Sequence, residues 1–97
     1  MYEFHPQAKA EMDDAHAWYE ERSYTASCDF DEEVYRAISW IDAYPDRYPQ
    51  YLYGTRKFLL KKFPYLIVYR PILHGVQIIA VAHGSRRPGY WRKRLDE

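Results

Sequence analysis

The sequence predicts an α+β domain in the order β-α-α-β-β-β, with an N-terminal helical hairpin packed on a small antiparallel sheet. Three observations carry this. Apolar residues recur at helical spacing twice between Pro6 and Pro45. After Gly54 the pattern changes to runs of β-branched and aromatic residues, broken at Pro64 and again between Pro71 and Gly75. The connections are short, so elements adjacent in sequence pack side by side.

The elements follow in order. Tyr2 to His5 alternates briefly and reads as a short strand. Pro6 suits the first turn of a helix, where a missing N–H costs nothing. Ala8, Met12, Ala15 and Tyr19 share one face of that helix, with Glu11, Asp14, Ala17 and Glu21 expected away from it. The pattern fades at Arg22-Ser23. Thr25 or Ser27 is the expected cap of a second helix, with Asp29, Asp31 and Glu32 near its positive end. Phe30, Val34, Ala37, Ile38 and Ile41 form its apolar stripe, and Pro45 stops it. Strands are expected over 55–63, 65–70 and 76–83, the last apolar enough to lie inside the sheet. They should form an antiparallel meander.

Composition bounds the function. A chain of 97 residues fits one domain, 1–97, and 47% apolar content is enough for a core. Cys28 is the only cysteine, so no internal disulfide can form, and a reducing cytoplasm is the expected compartment. The opening Met1-Tyr2-Glu3-Phe4 lacks a leader pattern, and the longest apolar run, Ile78 to Ala82, is far short of a membrane span. The formal charge of zero hides an asymmetry: residues 1–46 hold twelve Asp/Glu against three Lys/Arg, and residues 47–97 hold eleven Lys/Arg against two Asp/Glu. Such halves either neutralise each other within one fold or leave a basic face for an acidic partner.

The most unusual stretch runs from His83 to Arg94, with five cations and two aromatics in twelve residues. Arginine offers a planar fork matched to phosphate or carboxylate, and Tyr90 and Trp91 can stack on bases or close the core. With Lys57, Lys61, Lys62 and Arg70 on the preceding strands, the pattern suggests a basic concave surface. The tail is expected to add little to the core except through Trp91. Elsewhere the signals are weaker. Asp13, His16 and Glu20 share a flank of the first helix, where a solvated face is the expected reading rather than a metal site. Cys28 has acidic neighbours and is expected to be a buried or inert thiol.

The run Phe63-Pro64-Tyr65-Leu66-Ile67-Val68-Tyr69-Arg70, then Ile78 to His83, then Arg86-x-Pro88-Gly89-Tyr90-Trp91-x-x-Arg94, resembles the RelE/ParE superfamily of bacterial toxins. Phe4-x-Pro6-x-Ala8-x-x-Glu11 with Ala17-Trp18-Tyr19-Glu20 fits the same pattern, as does Arg56 after the Pro45/Pro49 loop. The resemblance is to the ParE-like, plasmid-stabilisation branch. It implies the toxin half of a type II toxin–antitoxin pair, without cofactor or metal, held in a hetero-oligomer by a cognate antitoxin. RelE-like members cleave mRNA on the ribosome, using a basic cluster and a tyrosine; ParE-like members inhibit DNA gyrase. Carried onto this chain, the target-binding residues are Arg56, Lys61, Lys62, Arg70, Arg86, Arg87, Tyr90 and Arg94. In a nuclease the catalytic group would be His83, Arg86 and Tyr90, with His83 or Tyr90 as base and Arg86 stabilising the phosphorane. The Pro88-Gly89 insert and the neutral chain depart from the nuclease pattern, so gyrase inhibition is the expected mode. A non-toxic protein-binding module is the competing class.

Overall fold

The computed structural model describes all residues from Met1 to Glu97. The chain runs β1 (Tyr2–Phe4), α1 (Pro6–Glu20), α2 (Tyr24–Ala43), β2 (Arg56–Leu59), β3 (Tyr65–Ile72) and β4 (Gly75–His83), with single 3₁₀ turns at Leu52–Gly54 and Arg92–Asp96. No helix is long and apolar enough to cross a membrane.

Local chemistry sets the helix ends. His5 caps α1: its ring Nδ1 accepts the Gln7 N–H at 3.1 Å, and Pro6 takes the position where no N–H is needed. The cap of α2 is Ser23, not Thr25 or Ser27. Its backbone is extended, and its Oγ accepts the Ala26 N–H at 3.1 Å. Ser27 already lies inside the helix and donates back to the Tyr24 carbonyl at 2.7 Å. Cys28 is exposed rather than buried.

The sheet order is β1-β4-β3-β2. The meander of β2, β3 and β4 is antiparallel as expected, but β1 joins the far edge parallel to β4, so the sheet is mixed. Gly75 permits that junction. A side-chain Cβ there would lie 1.7 Å from the Met1 carbonyl oxygen. The strand expected over 55–63 stops at Leu59, because the Lys61 and Lys62 N–H groups turn to the Glu33 carboxylate of α2.

Both faces of the sheet are covered. The hairpin packs Ala8, Met12, Phe30, Val34 and Ile38 against Ile67, Tyr69, Ile78 and Val81. Burial pushes the Tyr69 phenol up to about 12, and its hydroxyl donates to the Pro45 carbonyl at 2.6 Å. On the opposite face Trp91 lies over Val68, Ile79, Ala80 and Ala82. The rings of Tyr51 and Tyr53 each sit 6.0 Å from that of Trp91. The tail therefore forms a second layer.

Candidate functional site

The strongest polar constellation is centred on a residue that the helical pattern placed on the wrong side. Glu11 turns inward from α1, where it accepts four hydrogen bonds. Arg94 forks onto it with both contacts at 2.9 Å, the Tyr90 hydroxyl donates at 2.5 Å, and the Val81 N–H donates at 3.1 Å. Arg94 also donates to the Ile79 carbonyl at 2.9 Å. The topology explains why. After Phe4 the short β1 ends, and the His5 N–H takes the Ile78 carbonyl as the last strand-like bond. Beyond it the β4 edge presents Ile79 C=O and Val81 N–H with no strand beside them. Arg94 and Glu11 satisfy those groups, closing an edge that would otherwise invite another chain.

This arrangement fixes charge states. Burial raises the Tyr90 phenol well above its ordinary value, and donation to Glu11 raises it further. Burial alone would lower the Arg94 guanidinium, but the Glu11 hydrogen bonds and charge outweigh it, and the net shift is upward. Tyr90 is thus held neutral and Arg94 charged.

Beside the knot lies a cleft of about 470 Å³, walled by Trp18, Tyr19 and Tyr65 and edged by Asp14, His83 and Arg86. His83 ends β4 opposite Tyr65 in the register. Its Nδ1 accepts the Ser85 N–H at 3.0 Å, with the Ser85 hydroxyl 2.8 Å away. That backbone donor assigns the neutral tautomer in which Nε2 carries the hydrogen. Arg86 is exposed, and its guanidinium lies over the Tyr90 ring, 3.7 Å from the centroid. No carboxylate lies within ion-pair distance of Arg86 or of its exposed neighbour Arg87.

The structure places His83 and Arg86 on the rim of this cleft, with the Tyr90 ring under Arg86 and with Arg87 and Tyr90 lining a neighbouring hollow, and it disperses the other expected residues. Arg56 is committed to the carbonyls of Asp46 and Tyr48, at 3.2 and 2.6 Å. Arg70 bonds Gln77 at 2.9 Å and the Leu95 carbonyl at 3.0 Å. Lys61 and Lys62 are exposed at the β2–β3 turn, beside α2. Arg94 is buried in its ion pair, and so the expectation that the tail adds little to the fold beyond Trp91 is corrected for Tyr90 and Arg94. Arg87, Arg92 and Lys93 line one hollow with Tyr90, while Arg56, Arg70 and Arg94 bond within the fold. His16 Nδ1 lies 2.9 Å from Asp31 of α2 but off the line of a hydrogen bond, while Asp13 pairs with Lys9 at 2.5 Å. No group of three or more His, Cys, Asp or Glu side chains is placed to hold a metal ion.

The sequence model of the ParE toxin of the parDE type II toxin–antitoxin system matches residues 2–88. The chain belongs to the ParE toxin family. A toxin of this family has an antitoxin as its counterpart. The match takes in Glu11, His83, Arg86 and Arg87 of this ParE-family toxin but stops before the residues that Glu11 holds, Tyr90 and Arg94. No curated protein matches the chain.

Proposed function

We propose that this ParE-family toxin arrests growth by binding a protein target, DNA gyrase, in the cytoplasm, and is neutralised there by its antitoxin. Family membership supports the toxin–antitoxin part, and the resemblance in sequence supports gyrase. The observation that carries the mode of action is that neither candidate base has a free site for a proton. The Tyr90 hydroxyl is committed to Glu11, in a setting that raises its pKa. The His83 Nδ1 lone pair is committed to the Ser85 N–H. General-base attack by a ribose 2′-hydroxyl needs one of them open. What remains is a loop with two unpaired arginines, Arg86 and Arg87, a surface suited to acidic groups of a protein.

Supercoiling by purified gyrase, run beside a ribosome-programmed mRNA cleavage assay, tests this. The toxin should block supercoiling and leave A-site codons uncut. Codon-specific cleavage with normal supercoiling would instead establish the RelE-type nuclease, with His83 and Arg86 at its cleft. Expression from a tight promoter that leaves growth unimpaired, despite soluble protein, would favour the non-toxic binding module.

A further inference from the structure

The sheet face opposite the hairpin carries a second polar surface, where the tail layer meets the turn at Leu52–Gly54 and the strand β2. Residues alternate sides along a strand, so Phe58 packs toward the hairpin and Lys57 points to the tail layer. There the Lys57 Nζ lies 4.5 Å from the centroid of the Tyr51 ring. Tyr51 and Tyr53 flank Trp91, and the Arg92 guanidinium lies 4.9 Å over Tyr53. Tyr53 and Arg92 in turn line a hollow of about 770 Å³ with Arg87, Tyr90 and Lys93. Cations and rings thus alternate along one face.

The backbone is bent to achieve this. Tyr53 sits in the left-handed region, at φ 58° and ψ 38°, which a bulky residue rarely adopts. Its ring then meets Gly89, itself at φ 83°, where an added Cβ would lie 3.2 Å from the ring. Strain of this kind persists only where the surroundings enforce it, and it clusters at sites that bind.

Charge and geometry select the ligand. Lys57, Arg87, Arg92 and Lys93 have no carboxylate within ion-pair distance, and Asp96 is the one acid on the lining of the hollow. Lys57 and Arg92 occupy ring faces, so those faces are closed to the stacked bases that hold a single strand. An acidic protein segment is held chiefly by large side chains seated in apolar pockets, and this hollow is lined mainly by charged and small residues. A cation already fixed over a ring loses less freedom when it meets its partner. Point charges set out in advance suit a rigid row of phosphates.

We infer that this face binds the phosphate backbone of double-stranded DNA without reading its sequence. Lys57, Arg92 and Lys93 contact phosphates, Arg87 extends the row toward the cleft, and Tyr51 and Tyr53 hold the cations in place. The inference adds a nucleic-acid contact to the protein contact assigned to Arg86, and it holds whether or not gyrase is the target.

The test titrates purified full-length toxin, free of antitoxin, into a fluorescent DNA duplex of random sequence and reads anisotropy with no gyrase present. Three phosphate contacts predict a loss of affinity of about fortyfold between about 50 and about 200 mM salt. Arg92→Ala/Lys93→Ala should weaken binding by about tenfold or more and lower the log–log salt slope by about two. Tyr53→Gly keeps every charge and suits the left-handed backbone; it should weaken binding about threefold with the slope unchanged. Lys9→Ala, which removes a cation from α1 on the other side of the sheet, should bind as the wild type does. Circular dichroism melts check that each variant is folded. No binding by the folded wild type at the lower salt overturns the inference and leaves the protein target standing. A folded Arg92→Ala/Lys93→Ala variant that binds like wild type overturns this face as the seat of binding. A folded Tyr53→Gly variant with wild-type affinity overturns the part given to the ring. Tighter binding to a single strand of the same length, or to polyglutamate, makes the face a site for bases or for an acidic protein and overturns the duplex.

Discussion

Arg86 and Arg94 are the same residue type, eight positions apart in one basic tail, and they occupy opposite environments. Arg86 lies on an exposed loop against the Tyr90 ring, with no carboxylate partner. Arg94 is buried, forked onto Glu11 and bonded to the Ile79 carbonyl. Arg86 and Arg87 are thus free to meet another molecule, whereas Tyr90, Trp91 and Arg94 are part of the scaffold, with Arg92 and Lys93 exposed between them. A cluster of positive charge is not by itself a binding surface. What each cation does depends on whether the fold supplies it with an acid, and one acid, Glu11, divides this tail in two.

The largest expected effect tests whether the locked half is structural. Trp91 is buried over the second face of the sheet. Trp91→Ala should cost about 3–5 kcal/mol in urea denaturation, as truncating a large core aromatic does. A loss below about 1 kcal/mol, the ordinary size for a point substitution, would mean that the tail does not hold the fold.

Glu11→Gln is the sharper test of the division itself. It leaves the Arg94 guanidinium buried without its counter-charge and places an amide among donors. Removing one partner of a buried pair costs about 3–5 kcal/mol. The side chains of Arg94 and Glu11 keep 11% and 17% exposure, which favours the lower end of that range. The double variant Glu11→Gln/Arg94→Met should recover part of the loss, since no unpaired charge remains. If Glu11→Gln is as stable as wild type, the two halves of the tail are not distinguished by this ion pair.

Much of the fold is legible in the sequence, because the signals are periodic: the stripes Ala8–Met12–Ala15 and Phe30–Val34–Ile38, and the run from Val76 to His83, all lie where the pattern puts them. The parallel pairing of β1 is not legible. It depends on the close approach of Gly75 to Met1, which no local pattern encodes. Glu11 was missed because helical periodicity sorts residues by polarity, and a carboxylate counts as outward. One signal was available. Glu11 lies three residues after Ala8 and four before Ala15, hence on the flank of the buried stripe. The dispersal of Arg56 and Arg70 was hidden for a different reason. Apart from the Gln77 side chain across from Arg70, their partners are backbone carbonyls of Asp46, Tyr48 and Leu95, which sequence patterns do not mark.

Tyr90 touches both halves, so it separates them at intermediate cost. Tyr90→Phe keeps the ring under Arg86 and deletes the bond to Glu11. A hydrogen bond to a charged group is worth about 1.5–3 kcal/mol, and the loss should fall in that range. The pH response has a definite sign. Burial, then the Glu11 hydrogen bond, raises the phenol above its ordinary value of 10.0, so the folded state holds this proton more tightly than the unfolded chain. That stability is complete below pH 10 and is lost as pH rises above it. Stability of the wild type should therefore fall on the alkaline side, with a shallower fall in Tyr90→Phe. Equal slopes, measured by denaturation together with tyrosinate absorbance, would show that Tyr90 is not locked.

Arg86→Ala should have the smallest effect on the fold and a large one on growth arrest. Nothing but the Tyr90 ring holds this side chain, and an exposed cation over an aromatic face contributes about 0.5–1 kcal/mol. Surface changes of this kind usually move stability by about 0.5 kcal/mol or less, so the melting temperature should stay close to that of wild type. An interfacial charge can nevertheless matter far more to a partner, since truncating one side of a desolvated pair costs about 2–5 kcal/mol, which is about a thirtyfold loss of binding or more. Loss of toxicity with an unchanged melt is the expected pair of results. A folded Arg86→Ala variant that arrests growth like wild type would remove the free half of the tail from the target contact. An Arg86→Ala variant that unfolds would put Arg86 with Arg94 in the scaffold, and the contrast between the two arginines would fail.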